Sequence, residues 1–153
     1  LTVVLEPGRL IVGNAGILVT EVQYVKRGAA KTFVIVDAGM NDLIRPTLYE
    51  AFHVVRPVVE RAPGAAHELV DVVGPVCETG DYLALSRTMP KLRQGELVAV
   101  FSAGAYGAVQ AGTYNSRLLV PEVLVDGERW AVIRPRRSFE ELIGLDVVPD
   151  WLR

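Results

Sequence analysis

Short valine-rich segments, each ended by glycine or proline, constrain the fold of this chain more than any other feature of its sequence. The 153 residues include 25 valines, and 14 glycines and nine prolines are spread along the chain. β-Branched side chains favour strands, whereas proline and glycine favour the turns that separate strands. The pattern predicts a mainly β domain and argues against a helical bundle.

Composition and charge exclude several classes of protein. Half of the residues are hydrophobic, 22% are charged and the net charge is −2, which is typical of one globular domain and not of a disordered tail. No apolar run approaches the roughly 18 residues of a membrane span, and the balanced charge offers no attraction for nucleic acid. A single cysteine and two histidines provide no obvious metal site. We expect a cytoplasmic protein without a membrane or nucleic-acid partner.

The predicted elements describe a β-barrel or sandwich domain, Greek-key-like, with two or three short helices. We expect about eight or nine short strands, separated by turn residues. The strand-like segments are residues 1–5, 10–12, 16–26, 31–37, 54–59, 68–76, 83–85, 97–101, 122–125 and 129–133.

Capping residues mark two of the helices. Asp42 is the predicted N-cap of a helix over residues 43–52. Ser138 and Glu141 have the spacing of a capping box, which predicts a helix over residues 138–143.

Turn residues predict a hairpin near the C-terminus and a loop before it. Asp126-Gly127 joins two apolar-rich runs and predicts a hairpin with a type I′ turn. Residues 103–112 are rich in glycine and alanine, which is typical of a loop or of a closely packed helix.

Polar side chains concentrate in four segments at the ends of predicted strands, where binding sites are commonly built. These segments are residues 6–9, 37–49, 77–81 and 104–115. Each alone also has a purely structural interpretation, such as a turn or an inert cysteine. Their occurrence together favours a site.

Four ordered motifs connect these segments to a known family. They are Glu-Pro-Gly-Arg at 6–9, Asp-Ala-Gly-Met-Asn-Asp-Leu-Ile-Arg-Pro at 37–46 with Leu48, Tyr49 and His53, Gly-Pro-Val-Cys-Glu-Thr-Gly-Asp at 74–81, and Gly-Ala-Tyr-Gly at 104–107 with Tyr-Asn-Ser-Arg at 114–117. With them the chain resembles, over nearly its whole length, the C-terminal part of the diaminopimelate decarboxylases, pyridoxal-phosphate enzymes of the alanine-racemase-like fold type. The resemblance implies conversion of meso-2,6-diaminopimelate to L-lysine and CO2.

The resemblance also implies a longer parent chain and a homodimer partner. Residues 1–9 would be the last strand and loop of an N-terminal (β/α)8 barrel, and residues 10–153 the C-terminal β-barrel domain. None of Lys26, Lys31 and Lys91 matches the lysine that binds the cofactor in this family. We therefore expect the 153 residues alone to be inactive, and a missing N-terminal strand would leave an open sheet edge.

Four residues match cofactor-binding positions of the family. Glu6 matches the carboxylate beside the pyridinium nitrogen, where negative charge favours the protonated ring. Gly8 lets the backbone approach an anion, and Arg9 presents a planar fork to phosphate or carboxylate. Tyr106 matches the tyrosine that reaches the cofactor phosphate and the substrate. A turn-capping glutamate and a tight-turn tyrosine are the structural alternatives.

Arg45 and Tyr49 match substrate-binding positions, as do Arg9 and Tyr106. Because Arg45 and Tyr49 lie four residues apart on a predicted helix, they share one face and could jointly bind a carboxylate. Without the resemblance, Arg45 would be interpreted as a solvated charge and Tyr49 as a core aromatic residue.

Cys77 and Glu78 match the residues that complete the reaction of the family. Loss of CO2 leaves an electron pair on carbon, and a thiol that is mostly protonated at neutral pH can supply the proton. By resemblance, Cys77 is the proton donor, Glu78 binds the substrate's amino group, and their loop reaches into the partner's site. A buried inert cysteine is the structural alternative.

Two alternative functions remain open. Ornithine- and arginine-type decarboxylases share the fold but tend to carry Asp after the cysteine, so Glu78 favours a substrate with a second amino-acid end. A non-catalytic dimerisation or regulatory β module is the other alternative. Such a module would have no physical need for Arg9, Arg45, Cys77, Glu78 and Tyr106 together.

Overall fold

The computed structural model describes residues 1–152, which contain eight strands and three short α-helices. The strands are β1 Leu18–Arg27, β2 Thr32–Val36, β3 Val55–Pro57, β4 His67–Val73, β5 Tyr82–Pro90, β6 Leu97–Val100, β7 Glu122–Asp126 and β8 Arg129–Arg134. The helices are α1 Gly8–Val12, α2 Arg45–Tyr49 and α3 Phe139–Ile143. The predicted mainly β class with two or three short helices is confirmed.

The chain divides into two compact units. Leu1–Ala111 contains β1 to β6 with α1 and α2, and the second unit begins at Gly112 and contains β7, β8 and α3. No helix among residues 1–152 is long and apolar enough to cross a membrane.

Six strands of the first unit form one curled sheet, in the order β3-β6-β1-β2-β4-β5. The sheet is nearly closed, and its two edge strands, β3 and β5, line opposite sides of one open cleft. Neighbouring strands are antiparallel except β2 and β4, which are parallel. A parallel pair needs a crossover connection, and here the crossover contains α2 and β3. This connection carries Arg45 and Tyr49 to the end of the sheet.

Alternating valines build the core of the sheet. Val34 and Val36 of β2, and Val70 and Val72 of β4, are at most 2% exposed. Alternate side chains of a strand point to the same face, so each pair enters the same interior. Full burial of a valine contributes about 1.5–3 kcal/mol, which makes this pattern the main local determinant of the sheet.

The first twelve residues contain no strand, so the prediction of a strand at 10–12 was wrong. The strand at 1–5 was predicted as part of the N-terminal barrel of the parent chain and stays a prediction. Gly8–Val12 is α1, in which the Ile11 amide donates to the Pro7 carbonyl at 3.3 Å. A strand needs a neighbour to complete its hydrogen bonds, and no segment among residues 1–152 pairs with residues 1–5. An apolar run alone does not distinguish a strand from a helical turn.

Helix α2 is shorter than predicted at both ends. Asp42 is not its N-cap, because Oδ2 of Asp42 accepts the Gly39 amide at 2.9 Å and closes the turn after β2. The helix Arg45–Tyr49 has Pro46 in its first turn, where the missing N–H costs nothing. It ends because Glu50 takes a left-handed φ of 53°.

Strand β5 is much longer than the predicted segment 83–85. Ser86 takes a left-handed φ of 52°, and its amide donates to Oδ1 of Asp71 at 2.7 Å. The register between β4 and β5 shifts at this point. The bulge lets the strand continue through polar residues that break the apolar alternation.

The predicted hairpin of the second unit is confirmed, with Asp126 paired to Arg129 across a two-residue loop. The predicted type I′ turn is wrong. Gly127 has a φ of 61°, but Glu128 lies outside the left-handed region, as in a type II′ turn.

The capping box of α3 is confirmed. The Glu141 amide donates to Oγ of Ser138 at 3.2 Å, and the Ser138 amide donates to Oε2 of Glu141 at 2.8 Å. Reciprocal bonds of this kind satisfy two amides that have no partner inside the helix.

Candidate active site

The first cleft lies where α1 meets the loop after β6. It is lined by Glu6, Pro7, Gly8, Arg9 and Tyr106. A Cβ atom on Gly8 would lie 3.5 Å from Oη of Tyr106, an ordinary van der Waals distance, so the backbone at Gly8 lies next to the phenol. The structure thus brings together all four residues that were predicted to bind the cofactor.

Glycine also holds α1 against the loop that carries Tyr106. The Gly104 amide donates to the Gly13 carbonyl at 3.1 Å, just after the end of α1. A Cβ atom on Gly104 would lie 2.1 Å from the Val12 carbonyl oxygen. Because this oxygen belongs to the backbone, no side-chain movement could relieve the clash. This backbone contact sets the position of Arg9 relative to Tyr106.

We expect Gly104→Ala to lower the free energy of unfolding by about 1–3 kcal/mol, the usual cost of overpacking a close contact. Chemical denaturation measures this loss. Gly112→Ala is the control, because nothing lies within 4 Å of its Cβ position. If the two variants proved equally stable, close approach at Gly104 would not be required.

An adjoining cleft contains Arg45, which is 8% exposed, together with Arg9, Tyr49, Tyr106 and Gln110. The Arg45 guanidinium carbon lies 5.6 Å from the ring centroids of both tyrosines. No carboxylate among residues 1–152 forms an ion pair with it. A buried cation that faces aromatic rings and lacks a carboxylate partner is suited to an anionic ligand.

Cys77 and Glu78 are exposed and do not line either of these clefts. Their loop packs behind α2, where the Thr47 hydroxyl donates to the Gly80 carbonyl. Thr47 lies two residues from both Arg45 and Tyr49, hence on the other side of the helix. Within one chain, the predicted proton donor is therefore separated from the predicted cofactor residues.

A third cleft, of about 740 Å³, lies elsewhere, between the edge strands β3 and β5. It contains His53, whose Nδ1 lies 2.9 Å from the Phe101 carbonyl oxygen, while Nε2 is buried without a partner. Arg87 lies 3.6 Å from the centroid of the Phe52 ring, and burial lowers the pKa of its guanidinium. None of the predicted binding or catalytic residues lines this cleft.

Two residues with a place at the site were missed by the sequence analysis. Gln110 lines the Arg45 cleft; it lies in the predicted polar segment 104–115, but nothing in the sequence singled it out from its neighbours. Asp81 is 5% exposed and accepts the backbone amides of Met40, which precedes α2, and of Val76, in the loop that carries Cys77. The sequence did contain a signal for Asp81, namely Gly39 and Gly74, because these two glycines leave room for its carboxylate.

A family model described as the C-terminal sheet domain of pyridoxal-dependent decarboxylases matches residues 9–104. The chain belongs to this family. The resemblance carried by the four motifs is confirmed. Among curated relatives of this decarboxylase domain, the diaminopimelate decarboxylase of Archaeoglobus fulgidus is 51% identical over 97% of this chain and 35% of its own length. That of Pseudomonas aeruginosa is 54% identical over 93% of this chain and 34% of its own. The chain spans about a third of the length of these relatives.

Solved structures of the family have the same fold as this decarboxylase domain. The diaminopimelate decarboxylase of M. jannaschii in co-complex with L-lysine has a TM-score of 0.89 at 35% identity, covering 95% of this chain and 33% of that one. The Helicobacter pylori enzyme complexed with L-lysine has a TM-score of 0.84 at 43% identity, covering 92% and 34%.

The residues of the two clefts fit pyridoxal 5′-phosphate, the cofactor of the family. Arg9 supplies a cation and Tyr106 a phenolic donor for a phosphate, and Gly8 leaves the backbone accessible between them. Glu6, in the same cleft, supplies the carboxylate that a protonated ring nitrogen requires.

Proposed function

We propose that this domain belongs to a diaminopimelate decarboxylase that converts meso-2,6-diaminopimelate to L-lysine and CO2. The observation that carries the proposal is the convergence of Glu6, Arg9, Arg45 and Tyr106 on adjoining clefts. The names of relatives about 50% identical to this chain support the substrate.

The chain's own residues bind the cofactor through its two charged ends. Glu6 would hold the ring end of the cofactor, where its negative charge favours a protonated ring, and Gly8, Arg9 and Tyr106 would hold its phosphate. Pyridoxal 5′-phosphate, when bound, supplies an electron sink for the electron pair left by departing CO2.

Arg45 and Tyr49 bind the substrate carboxylate that is not lost. A guanidinium fork and a phenolic hydroxyl on one helix face match the two oxygens of a carboxylate. Arg9 and Tyr106 reach the substrate from the shared wall of the two clefts. Glu78 binds the distal amino group, which selects a substrate with a second amino-acid end.

Cys77 replaces the lost carboxylate with hydrogen. The bond between the carboxylate and the D-centre carbon breaks, the electron pair stays with carbon, and the proton of Sγ moves to that carbon. Solvent then returns a proton to the sulfur. This step needs no further oxidant or reductant.

The active site requires a second subunit and the rest of the parent chain. In support, Cys77 and Glu78 are exposed and lie apart from the clefts of their own chain. The second unit also exposes large apolar side chains, with Trp130 71% and Trp151 80% exposed, and apolar surface of this kind marks interfaces. We place the enzyme in the cytoplasm as a homodimer, with an N-terminal barrel that supplies the cofactor lysine.

A substrate panel tests the proposed function. The full-length parent with added pyridoxal 5′-phosphate is assayed for CO2 release from meso-diaminopimelate, ornithine and arginine. We expect diaminopimelate to react fastest and residues 1–153 alone to show no turnover. Faster reaction of ornithine or arginine would instead support the ornithine/arginine type. A full-length parent inactive on all three would support the non-catalytic module.

A further inference from the structure

One buried carboxylate connects the Cys77 loop, residues 74–81, to the segment that leads into α2. Asp81 is 5% exposed, its Oδ1 accepts the Met40 amide at 2.6 Å, and its Oδ2 accepts the Val76 amide at 2.5 Å. No cation forms an ion pair with it among residues 1–152. Both oxygens therefore bind backbone amides, one on each of two segments that carry site residues.

Two glycines leave room for this carboxylate. A Cβ atom on Gly74 would lie 2.5 Å from both carboxylate oxygens of Asp81, and one on Gly39 would lie 2.9 Å from Oδ1. The Gly74 amide also donates to the Asp81 carbonyl at 3.0 Å. A side chain at either glycine would therefore collide with the carboxylate of Asp81.

Asp81 is more important for the position of the Cys77 loop than for the position of α2. Helix α2 has its own bond from Leu48 to Ile44, at 2.9 Å, and the preceding turn is closed by Asp42. The loop has backbone bonds of its own, such as that from the Glu78 amide to the Val76 carbonyl at 2.8 Å, but residues 77–79 are exposed. Its side-chain bonds to the α2 segment include those of Asp81 and Thr47. Loss of the carboxylate would therefore displace the loop before it displaced Arg45.

We propose that Asp81 is a positioning residue that holds Cys77 and Glu78 where they enter the partner subunit's site. The inference rests on the proposed function, because it takes Cys77 as the proton donor. Asp81 touches neither substrate nor cofactor and acts through the loop.

Complementation between subunits of the full-length dimer tests this role. Asp81→Asn keeps the size of the side chain but replaces one carboxylate oxygen with an NH2 group. This group cannot accept a hydrogen bond from a backbone amide. When Asp81→Asn subunits are mixed with Arg9→Ala subunits, half of the dimers are hybrids. In each hybrid both substitutions fall in the same site, so the other site is unaltered. We expect recovery to about a quarter of wild-type turnover. When Asp81→Asn subunits are mixed with Cys77→Ala subunits, every site of every hybrid is altered. We therefore expect no recovery of turnover.

A first mixture, Arg9→Ala with Cys77→Ala, separates the two proposals. If it recovers no activity, or if the unmixed wild-type enzyme is inactive, the proposed function fails, and with it the basis of this inference. If it recovers activity but Asp81→Asn recovers only with Cys77→Ala, Asp81 acts on the Arg9 side and the positioning role is overturned. Wild-type turnover of the Asp81→Asn homodimer would also overturn it.

Asp71→Asn is the control. Asp71 is 3% exposed and accepts the Ser86 amide at 2.7 Å, and unlike Asp81 it also pairs with Lys31, but it lies on β4, away from the two clefts. We expect this variant to lose stability and keep its turnover. If Asp81→Asn subunits do not dimerise, Thr47→Val removes the other bond to the loop with little change in volume. We expect Thr47→Val to lower turnover several-fold, and we expect turnover to recover only in the mixture with Arg9→Ala subunits. Recovery with Cys77→Ala subunits, or unchanged turnover, would count against the role.

Discussion

Cys77→Ala in the full-length dimer is expected to reduce kcat by a factor of about 10²–10⁴, the usual contribution of a positioned general acid. The reason is that alanine cannot transfer a proton to the carbon that has lost its carboxylate. Cofactor binding should persist, because the cofactor-binding residues lie in a separate cleft of the chain. Steady-state turnover and the absorbance of the bound cofactor measure the two effects.

Thr79→Ala is the control for Cys77→Ala. Thr79 is exposed in the same loop, two residues away, and its hydroxyl has no assigned role. We expect its turnover to equal that of the wild type. If Cys77→Ala kept most of its kcat with cofactor bound, another group would have to supply the proton.

Arg45→Lys is expected to lower kcat/KM by about 10- to 150-fold, mostly through KM. This range corresponds to the loss of about 1.5–3 kcal/mol for a hydrogen bond to a charged group. Lysine keeps the charge but lacks the planar fork, and Arg45 is buried between two tyrosine rings with no carboxylate partner in the described chain. Initial rates over a range of substrate concentrations separate KM from kcat.

Arg56→Lys is the matched control for Arg45→Lys. Its guanidinium carbon lies 5.9 Å from the Phe101 ring centroid, so it also contacts an aromatic ring, but it lines the cleft between β3 and β5. We expect wild-type KM. An equal rise of KM in both variants, or none in Arg45→Lys, would contradict a direct role of Arg45 in substrate binding.

Elements stabilised by neighbours in the sequence could be predicted closely. The hairpin of β7 and β8 and the capping box of α3 each depend on residues a few positions apart. Prediction failed where a competing bond was decisive. Asp42 accepts the amide of Gly39, three residues away, instead of capping α2. Residues 1–5 have the composition of a strand but no strand to pair with in the described chain, so that strand stays a prediction.

The sequence by itself determined the class of fold and the residue types of the candidate site. Valine alternation specifies buried strands, and four ordered motifs contain the acids, cations, tyrosines and thiol of a decarboxylase domain. Only the tertiary structure decided which of them meet. Backbone contact at Gly104 brings Arg9 to Tyr106, and the crossover between parallel strands brings Arg45 to the same place. It also placed Cys77 on the other side of α2, because a short helix presents opposite sides to different segments. Spacing along the chain encodes local geometry, whereas these contacts depend on the packing of segments far apart in sequence.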